Sequence, residues 1–530
     1  MKKASRNLPG NSSQIALFVA AVLVLIITWL VYLPSLNNGF ISWDDDEYVY
    51  RNQMIRHFDP ALIKNVFTTF SVYNWHPLTW ISYALDYALW GLNPLGYHLT
   101  NVIVHGLNAF LIVLLIGRLF RSAQESGAAC SQSTLKLTLA AFLSGILFGI
   151  HPLHVESVAW IAERKDVLCA FFYLLSLSMY VEYALKKRFR ALYWLSFLFF
   201  VFSLLSKAMA VTLPVILLLL DIYPLKRLAI GKRYENVKNI VLEKVPFFIM
   251  SGLVTILTIL SHKALVVKEN LLPLADRFLI SVRTTVFYLK NFAYPLDLSP
   301  FYPLKVPVVF TAADLLYIMI FVAITGLGVI YWKKNRLFLT VWLYFLITLL
   351  PTLGIVQTGA QAAADRYTYL PLIGPMFLIG LGISEGLEKI RKIRRGNGLL
   401  SIAYSVPIFL LFAGTIYVTQ NQIKIWHDSV SLWNRAIERS PFESSIPYAM
   451  RGLAYRENGE YLNAVDDFTL ALNLDATNYE VYRYRGITYV MLGDYRDALG
   501  DFDKLISKGM ASPEILYYRA EIHRILNDGK

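Results

Sequence analysis

Cysteine is nearly absent from this 530-residue chain, with Cys130 and Cys169 its only two. One is expected in a cytoplasmic loop and the other inside an apolar span, which excludes a disulfide framework. Charge is sparse as well, at 16% of residues. No glycine-rich nucleotide loop is present. The first apolar stretch lacks a small-residue cleavage site and is long for a secretory signal, so it reads as a retained span. What the chain has in excess is apolar surface: 56% hydrophobic residues and a mean hydropathy of +0.48 point to a lipid-embedded body. Aromatic residues reach 14%, which suits rings lying at headgroup depth. The net charge of +13 does not indicate a nucleic-acid partner, because the basic residues sit in short clusters between apolar spans.

A bilayer core of roughly 30 Å needs about 20 apolar residues per helix. Eleven stretches qualify, at about 15–33, 99–118, 137–152, 167–184, 191–206, 209–224, 246–262, 312–331, 337–354, 370–386 and 399–418. Basic residues precede the first stretch (Lys2, Lys3, Arg6) and then mark every second connection: Arg118, Arg121 and Lys136; Lys186, Lys187, Arg188 and Arg190; Lys226, Arg227, Lys232, Arg233 and Lys238; Lys333, Lys334 and Arg336; Lys389, Arg391, Lys392, Arg394 and Arg395. By the positive-inside rule the N-terminus is cytoplasmic, and an odd number of spans puts the C-terminus outside. The long outer connections 34–98 and 263–311 are too apolar for disordered linkers and are expected to form interfacial helices.

After Gln420 the composition turns polar and a period of 34 appears. Tyr448, Arg451, Gly452, Tyr455, Gly459, Tyr461, Ala464 and Phe468 recur as Tyr482, Arg485, Gly486, Tyr489, Gly493, Tyr495, Ala498 and Phe502, and a third copy opens with Leu516, Arg519 and Ala520. This is the tetratricopeptide pattern, so the expected fold is all-α: a polytopic membrane domain over 1–420 and an outer repeat solenoid over 421–530. Such arrays hold peptides or proteins; a short one could equally cap the membrane domain.

Ionisable groups near membrane helix ends are costly and point to function. Asp44, Asp45, Asp46 and Glu47 follow the first span, between Trp43 and Tyr48. Four adjacent carboxylates bind a divalent cation, act as a general base, or form a solvated acidic turn. His151, His154 and Glu156 close the third span; hydrogen bonding to a sugar or phosphate competes there with a zinc site lacking a clear third ligand, and with a helix cap. Glu163, Arg164, Lys165 and Asp166 enter the fourth span, where Arg164 could clamp a phosphate and Asp166 orient it or the acceptor. Lys207 stands alone between apolar runs and needs an anionic partner, for which a lipid phosphate is suited. Asp365, Arg366 and Tyr367 add a guanidinium beside aromatics, and His76, His98, Asn101 and His105 add further polar groups. Together they fit sugar transfer from a lipid-phosphate donor, with a carboxylate base and cations on the departing phosphate.

At these residues the chain resembles the transmembrane-and-tetratricopeptide-repeat O-mannosyltransferases, members of the GT-C class of membrane glycosyltransferases. The resemblance runs through Trp43-Asp44-Asp45 with Tyr48 and Asn52, His76-Pro77-Leu78, His98, Asn101 and His105. It continues through His151 to Glu156, Arg164, Asp166, Lys207, Asp365 to Pro371, and the repeats. It implies a polyprenyl-phosphate-linked, mannose-like donor and a serine or threonine hydroxyl on a protein acceptor, which the repeats would hold, with inversion at the anomeric carbon. It assigns the base to the pair Asp44 and Asp45, Asp44 preferred because Tyr48 follows four residues on. Lys207, Arg366 and Arg164 would bind donor phosphate, and Tyr48, His76, His151, His154, Glu156, Asp166 and Tyr367 would contact acceptor or sugar. A magnesium or manganese ion is left open; if one binds, Asp44, Asp45 and Glu156 would be its ligands. The short array and compact loops resemble a bacterial inner-membrane relative with its repeats in the periplasm. Transfer to a glycan or lipid head group, en bloc oligosaccharide transfer, and a non-enzymatic repeat scaffold for an envelope complex are the competing readings.

Overall fold

The computed structural model describes residues 11–70, 74–125, 134–186, 189–228, 234–266, 272–354, 361–393 and 398–528. Cys130 and the basic residues Lys2, Lys3, Arg6, Lys187, Arg188, Lys232, Arg233, Arg394 and Arg395 lie outside them. Each of the eleven apolar stretches forms a helix, from Asn11–Tyr32 at the start to Gly398–Ile425 before the repeats. Among the described residues six helical segments are long and apolar enough to cross a bilayer, or seven if Leu135–Ile150 and Pro152–Ala159, bent by 52°, form one broken span. The remaining stretches differ for physical reasons. Arg190–Ser206, Leu213–Ile222 and Arg336–Leu349 have 17, 10 and 14 residues. At a rise of 1.5 Å per residue each covers about 25 Å or less. Ile373–Ile393 carries Glu385, Glu388, Lys389, Arg391 and Lys392 in its second half.

Small residues let these helices approach one another, as packing in lipid requires. A Cβ on Gly149 of Thr134–Ile150 would fall 2.0 Å from Thr28 Oγ1 of Asn11–Tyr32. Asn11–Tyr32 also packs on Pro94–Glu125, Arg164–Lys186 on Arg190–Ser206, and Thr134–Ile150 on Ile373–Ile393. Away from the Lys207 turn, at the far end of Leu213–Ile222, a closed ionic network ties the bundle. Lys244 Nζ lies 2.5 Å from Asp221, Arg227 pairs with Asp221 and Glu243, and the Tyr180 hydroxyl donates to Asp221 at 2.6 Å.

The connection 34–98 contains two helices, Pro60–Thr68 and Pro77–Trp90. Asp59 caps the first by accepting Leu62 N at 2.8 Å, with Pro60 opening the helix. Phe58, Ile63, Phe67, Phe70, Leu85 and Leu89 are exposed on these segments, as membrane-interface helices require. The second connection contains Leu274–Ala293 and the short strand Tyr302–Pro303, which pairs antiparallel with Gln361–Ala363.

Beyond Gly398–Ile425 the chain forms Ser429–Arg439, Ile446–Glu457, Tyr461–Leu474, Tyr479–Leu492, Tyr495–Ser507 and Pro513–Asp528. The period-34 residues explain this packing. Phe468 and Phe502 fill the space that Gly452 and Gly486 leave open, and Arg451–Asp467 and Arg485–Asp501 pair at 2.7 and 2.8 Å. The chain is thus an all-α membrane protein with a helical repeat region. A Cβ on Gly486 would stand 2.6 Å from Phe502 Cε1. Gly486→Leu is therefore expected to overpack the repeats by about 1–3 kcal/mol, read as a lowered unfolding midpoint in a thermal melt.

Candidate functional site

The turn after the first helix carries Asp44 and Asp45, and their surroundings differ sharply. Asp45 is fully buried; its Oδ2 accepts Ile41 N and its Oδ1 accepts Ala162 N, both at 2.8 Å. Both oxygens are thus occupied by backbone, and the residue clips its own turn to the segment before Arg164–Lys186. Burial pushes its carboxyl up to about 8, against the pull of the two backbone N–H groups. Of the two aspartates expected to share the base's role, Asp45 is the one engaged through both oxygens in holding the turn. Asp44 keeps about a third of its side chain exposed and lies 4.0 Å from Lys165 Nζ. Burial raises its pKa, with Lys165 opposing the shift.

The charged tetrad divides between two environments. Glu163 is buried and receives three cations: Lys165 at 3.0 Å, Lys207 at 3.1 Å and Arg366 at 3.3 Å. Lys207 also pairs with Asp166 at 2.6 Å, and Asp166 accepts from Ser157 Oγ at 3.3 Å. Arg366 bridges to Glu156, whose other oxygen accepts the Arg366 backbone N–H at 3.0 Å. The guanidinium lies against Trp43, Trp160 and Tyr367, with 4.9 Å to the Tyr367 ring. Lys165 sits 4.7 Å over the Tyr48 ring, which stacks on Trp80 at 4.6 Å. Tyr48 is therefore a buried wall of the recess rather than a free contact surface.

Arg164 faces the other way. Its side chain is fully buried, pairs with Asp86 at 2.7 Å, donates to Tyr97 O at 2.7 Å and to Asn101 Oδ1, and lies over Tyr83. It joins helices together, and the structure does not bring it to Lys207 and Arg366, with which it was expected to share a phosphate. Lys165, to which the sequence reading gave no role, lies beside Asp44 and Glu163 instead. Successive residues entering a helix point about 100° apart, and the charged run alone does not tell which one faces the recess.

His151 and His154 are likewise not brought into the cluster. His151 Nδ1 accepts Leu153 N at 3.3 Å and its Nε2 reaches Phe292 O at 3.2 Å. His154 Nδ1 bonds Phe148 O at 2.8 Å, with its ring packed on Phe148 and Tyr369. Both shape the bend after Ile150 rather than meet a ligand. His76 is buried at the start of Pro77–Trp90, whose Thr79 hydroxyl donates to Ser206 O beside Lys207. Among the described residues no three His, Cys, Asp or Glu side chains gather as a metal group. Asp44, Asp45 and Glu156 do not fit a cation: Asp45 is spent on backbone and Glu156 on Arg366.

The arrangement is a largely buried charge cluster at one end of a helix bundle, flanked by aromatic rings, with one partly exposed carboxylate beside three cations that converge on Glu163. No family model matches the chain. Curated relatives do. Over 174 residues it is 30% identical to the protein O-mannosyl-transferase TMTC4 of Mus musculus, covering 31% of this chain and 23% of that one. Over 194 residues it is 29% identical to Tmtc1 of Drosophila melanogaster, covering 35% and 21%. A protein O-mannosyl-transferase of Caenorhabditis elegans is 25% identical over 488 residues, covering 86% of this chain and 62% of its own length. The chain thus aligns with less than two thirds of each of these relatives, which are TMTC-family protein O-mannosyl-transferases, the family its motifs resemble.

Arg164→Ala leaves Asp86 buried without its cation. It is expected to cost about 3–5 kcal/mol of stability, seen as a large fall in melting temperature, whereas loss of a phosphate clamp would leave the melt unchanged.

Proposed function

We propose that the chain is a membrane glycosyltransferase that moves a mannose-like sugar from a polyprenyl-phosphate donor to a serine or threonine hydroxyl of a protein. One observation carries this reading: Asp44, partly exposed, lies beside Lys165 in the recess where Lys165, Lys207 and Arg366 converge on Glu163. Asp44 takes the acceptor hydroxyl proton as the oxygen attacks the anomeric carbon. The bond from that carbon to the phosphate oxygen breaks from the opposite face, and the electron pair leaves with the phosphate. A single displacement inverts the centre. Lys207 and Arg366 stabilise the charge that develops on the leaving group, in a recess where water is scarce and fixed cations count for more. Tyr367 and Trp43 form the aromatic wall against which the sugar ring packs, and Asp166 and Glu156 hold the cations in place. The relatives' names support a protein acceptor. Ser42 and Arg51 near Asp44 meet Glu457 of the repeats, so the array and the recess share one end of the bundle. With the basic clusters cytoplasmic, that end is extracytoplasmic.

Asp44→Asn is expected to lower transfer about 10²–10⁴-fold with an unchanged melting temperature, measured by mass spectrometry of an acceptor peptide supplied with polyprenyl-phosphate mannose. Retained transfer would remove Asp44 as the base.

The pH profile is a second check. Burial raises the Asp44 pKa and Lys165 lowers it. The acidic limb of kcat/KM should therefore stand above the range of a free aspartate, and Lys165→Met should move it further up.

A further inference from the structure

The turn that carries Asp44 is built against the repeat region as well as against the membrane helices. On the membrane side Asp45 fastens it to Ala162. On the other side Asn38 Nδ2 donates to Ile423 O at 3.4 Å, Gly39 N to His427 O at 2.9 Å and Ser42 N to Ser429 Oγ at 2.8 Å. Trp43 stacks on Trp160 at 4.7 Å and meets Trp433 of Ser429–Arg439 at 4.9 Å. The most distant tie comes from Glu457, the last residue of Ile446–Glu457. Its Oε2 accepts Ser42 Oγ at 2.5 Å and its Oε1 accepts Arg51 Nη2 at 3.1 Å, while Arg51 also pairs with Asp46 at 3.4 Å. One carboxylate therefore holds both ends of the stretch that contains Asp44.

Repeat packing does not account for this residue. The period of 34 that returns Arg451 as Arg485 and Gly452 as Gly486 returns Glu457 as Met491, which is exposed. A carboxylate at this position serves something other than the solenoid. The pair with Arg51, 61% exposed, is of the surface kind that adds little stability. What Glu457 supplies is orientation.

We propose that Glu457 is a positioning residue through which the repeat region holds the Asp44 turn in register with the cations. The catalytic consequence rests on the reading of Asp44 as the base; the clamp itself does not. The test uses the full chain in lipid nanodiscs, comparing Glu457→Ala, Glu457→Gln and Ser42→Ala with the parent. Two readouts are taken: hydrogen–deuterium exchange over 38–51, and steady-state transfer from polyprenyl-phosphate mannose to a serine- and threonine-containing peptide. Glu457→Ala should speed exchange over 38–51 and leave 151–166 unchanged. It should lower kcat about tenfold with the donor KM within about twofold, as expected when a reacting group is misplaced. Glu457→Gln, whose amide oxygen still accepts from Ser42, should recover most of the rate. Ser42→Ala breaks the same tie without touching the repeats, and should reproduce the loss should Glu457→Ala fail to fold. Unchanged exchange over 38–51 would overturn the clamp. Faster exchange with unchanged kcat, or a loss confined to KM, would overturn the positioning role. If the parent shows no transfer, the glycosyltransferase reading falls, and the exchange measurement alone decides the clamp.

Discussion

Three cations gathered in a buried recess repel one another, and the recess exists because Glu163 answers all three. Lys165, Lys207 and Arg366 lie within 3.3 Å of its two oxygens. Taking such charges out of water costs several kcal/mol per ion, and only close opposite charge and hydrogen bonds offset it. The other groups follow from this. Asp166 gives Lys207 a second partner, Glu156 gives Arg366 one, and the rings of Trp43, Trp160 and Tyr48 cover the faces that remain. Asp44 is left over at 4.0 Å, the carboxylate with the weakest hold on a cation.

The contrast with the far end of the bundle is instructive. There Asp221 and Glu243 face Arg227 and Lys244, two charges of each sign, and the Tyr180 and Tyr183 hydroxyls donate to the same carboxylates. That network is complete and does the work of a staple between helix ends. At the recess four carboxylates, Asp44, Glu156, Glu163 and Asp166, meet three cations. The recess thus carries one carboxylate more than it has cations, and that carboxylate, Asp44, is about a third exposed, whereas the far network is balanced in charge.

The repeats are joined to this charge cluster by aromatic and polar contacts together. Trp43, Trp160, Trp426 and Trp433 form a chain of ring contacts, Trp426 on Trp160 on Trp43 stacked and Trp433 tilted against Trp43, and Ser429 and Glu457 add hydrogen bonds to the same turn. Elsewhere Arg439 reaches Asp297 and Lys305 reaches Glu443, so the second long connection is tied down as well. The repeat region is thereby seated on the end of the bundle where the charges converge.

Much was legible from sequence because it depends on local or periodic constraints. Apolar runs marked a helix at each of the eleven expected stretches, although among the described residues only six segments, or seven with the bent pair, are long and apolar enough to cross a bilayer; a 34-residue period placed the repeats, and the cost of charge near lipid singled out Asp44, Glu156, Asp166, Lys207 and Arg366. Three things were not legible, since each depends on contacts between distant segments. The direction a side chain takes at a helix start sent Arg164 to Asp86 and left Lys165 at the recess. The backbone N–H of Ala162 took an oxygen of Asp45, which no spacing near residue 45 announces. His151 and His154, spaced like ligands on one turn, were drawn to the carbonyls of Phe292 and Phe148. Composition and period determined which residues had to be buried, and where along the chain. Which buried charge met which partner was decided by the tertiary fold alone, because in a low-dielectric interior the nearest available donor or counter-charge takes the group, however far away it lies in sequence.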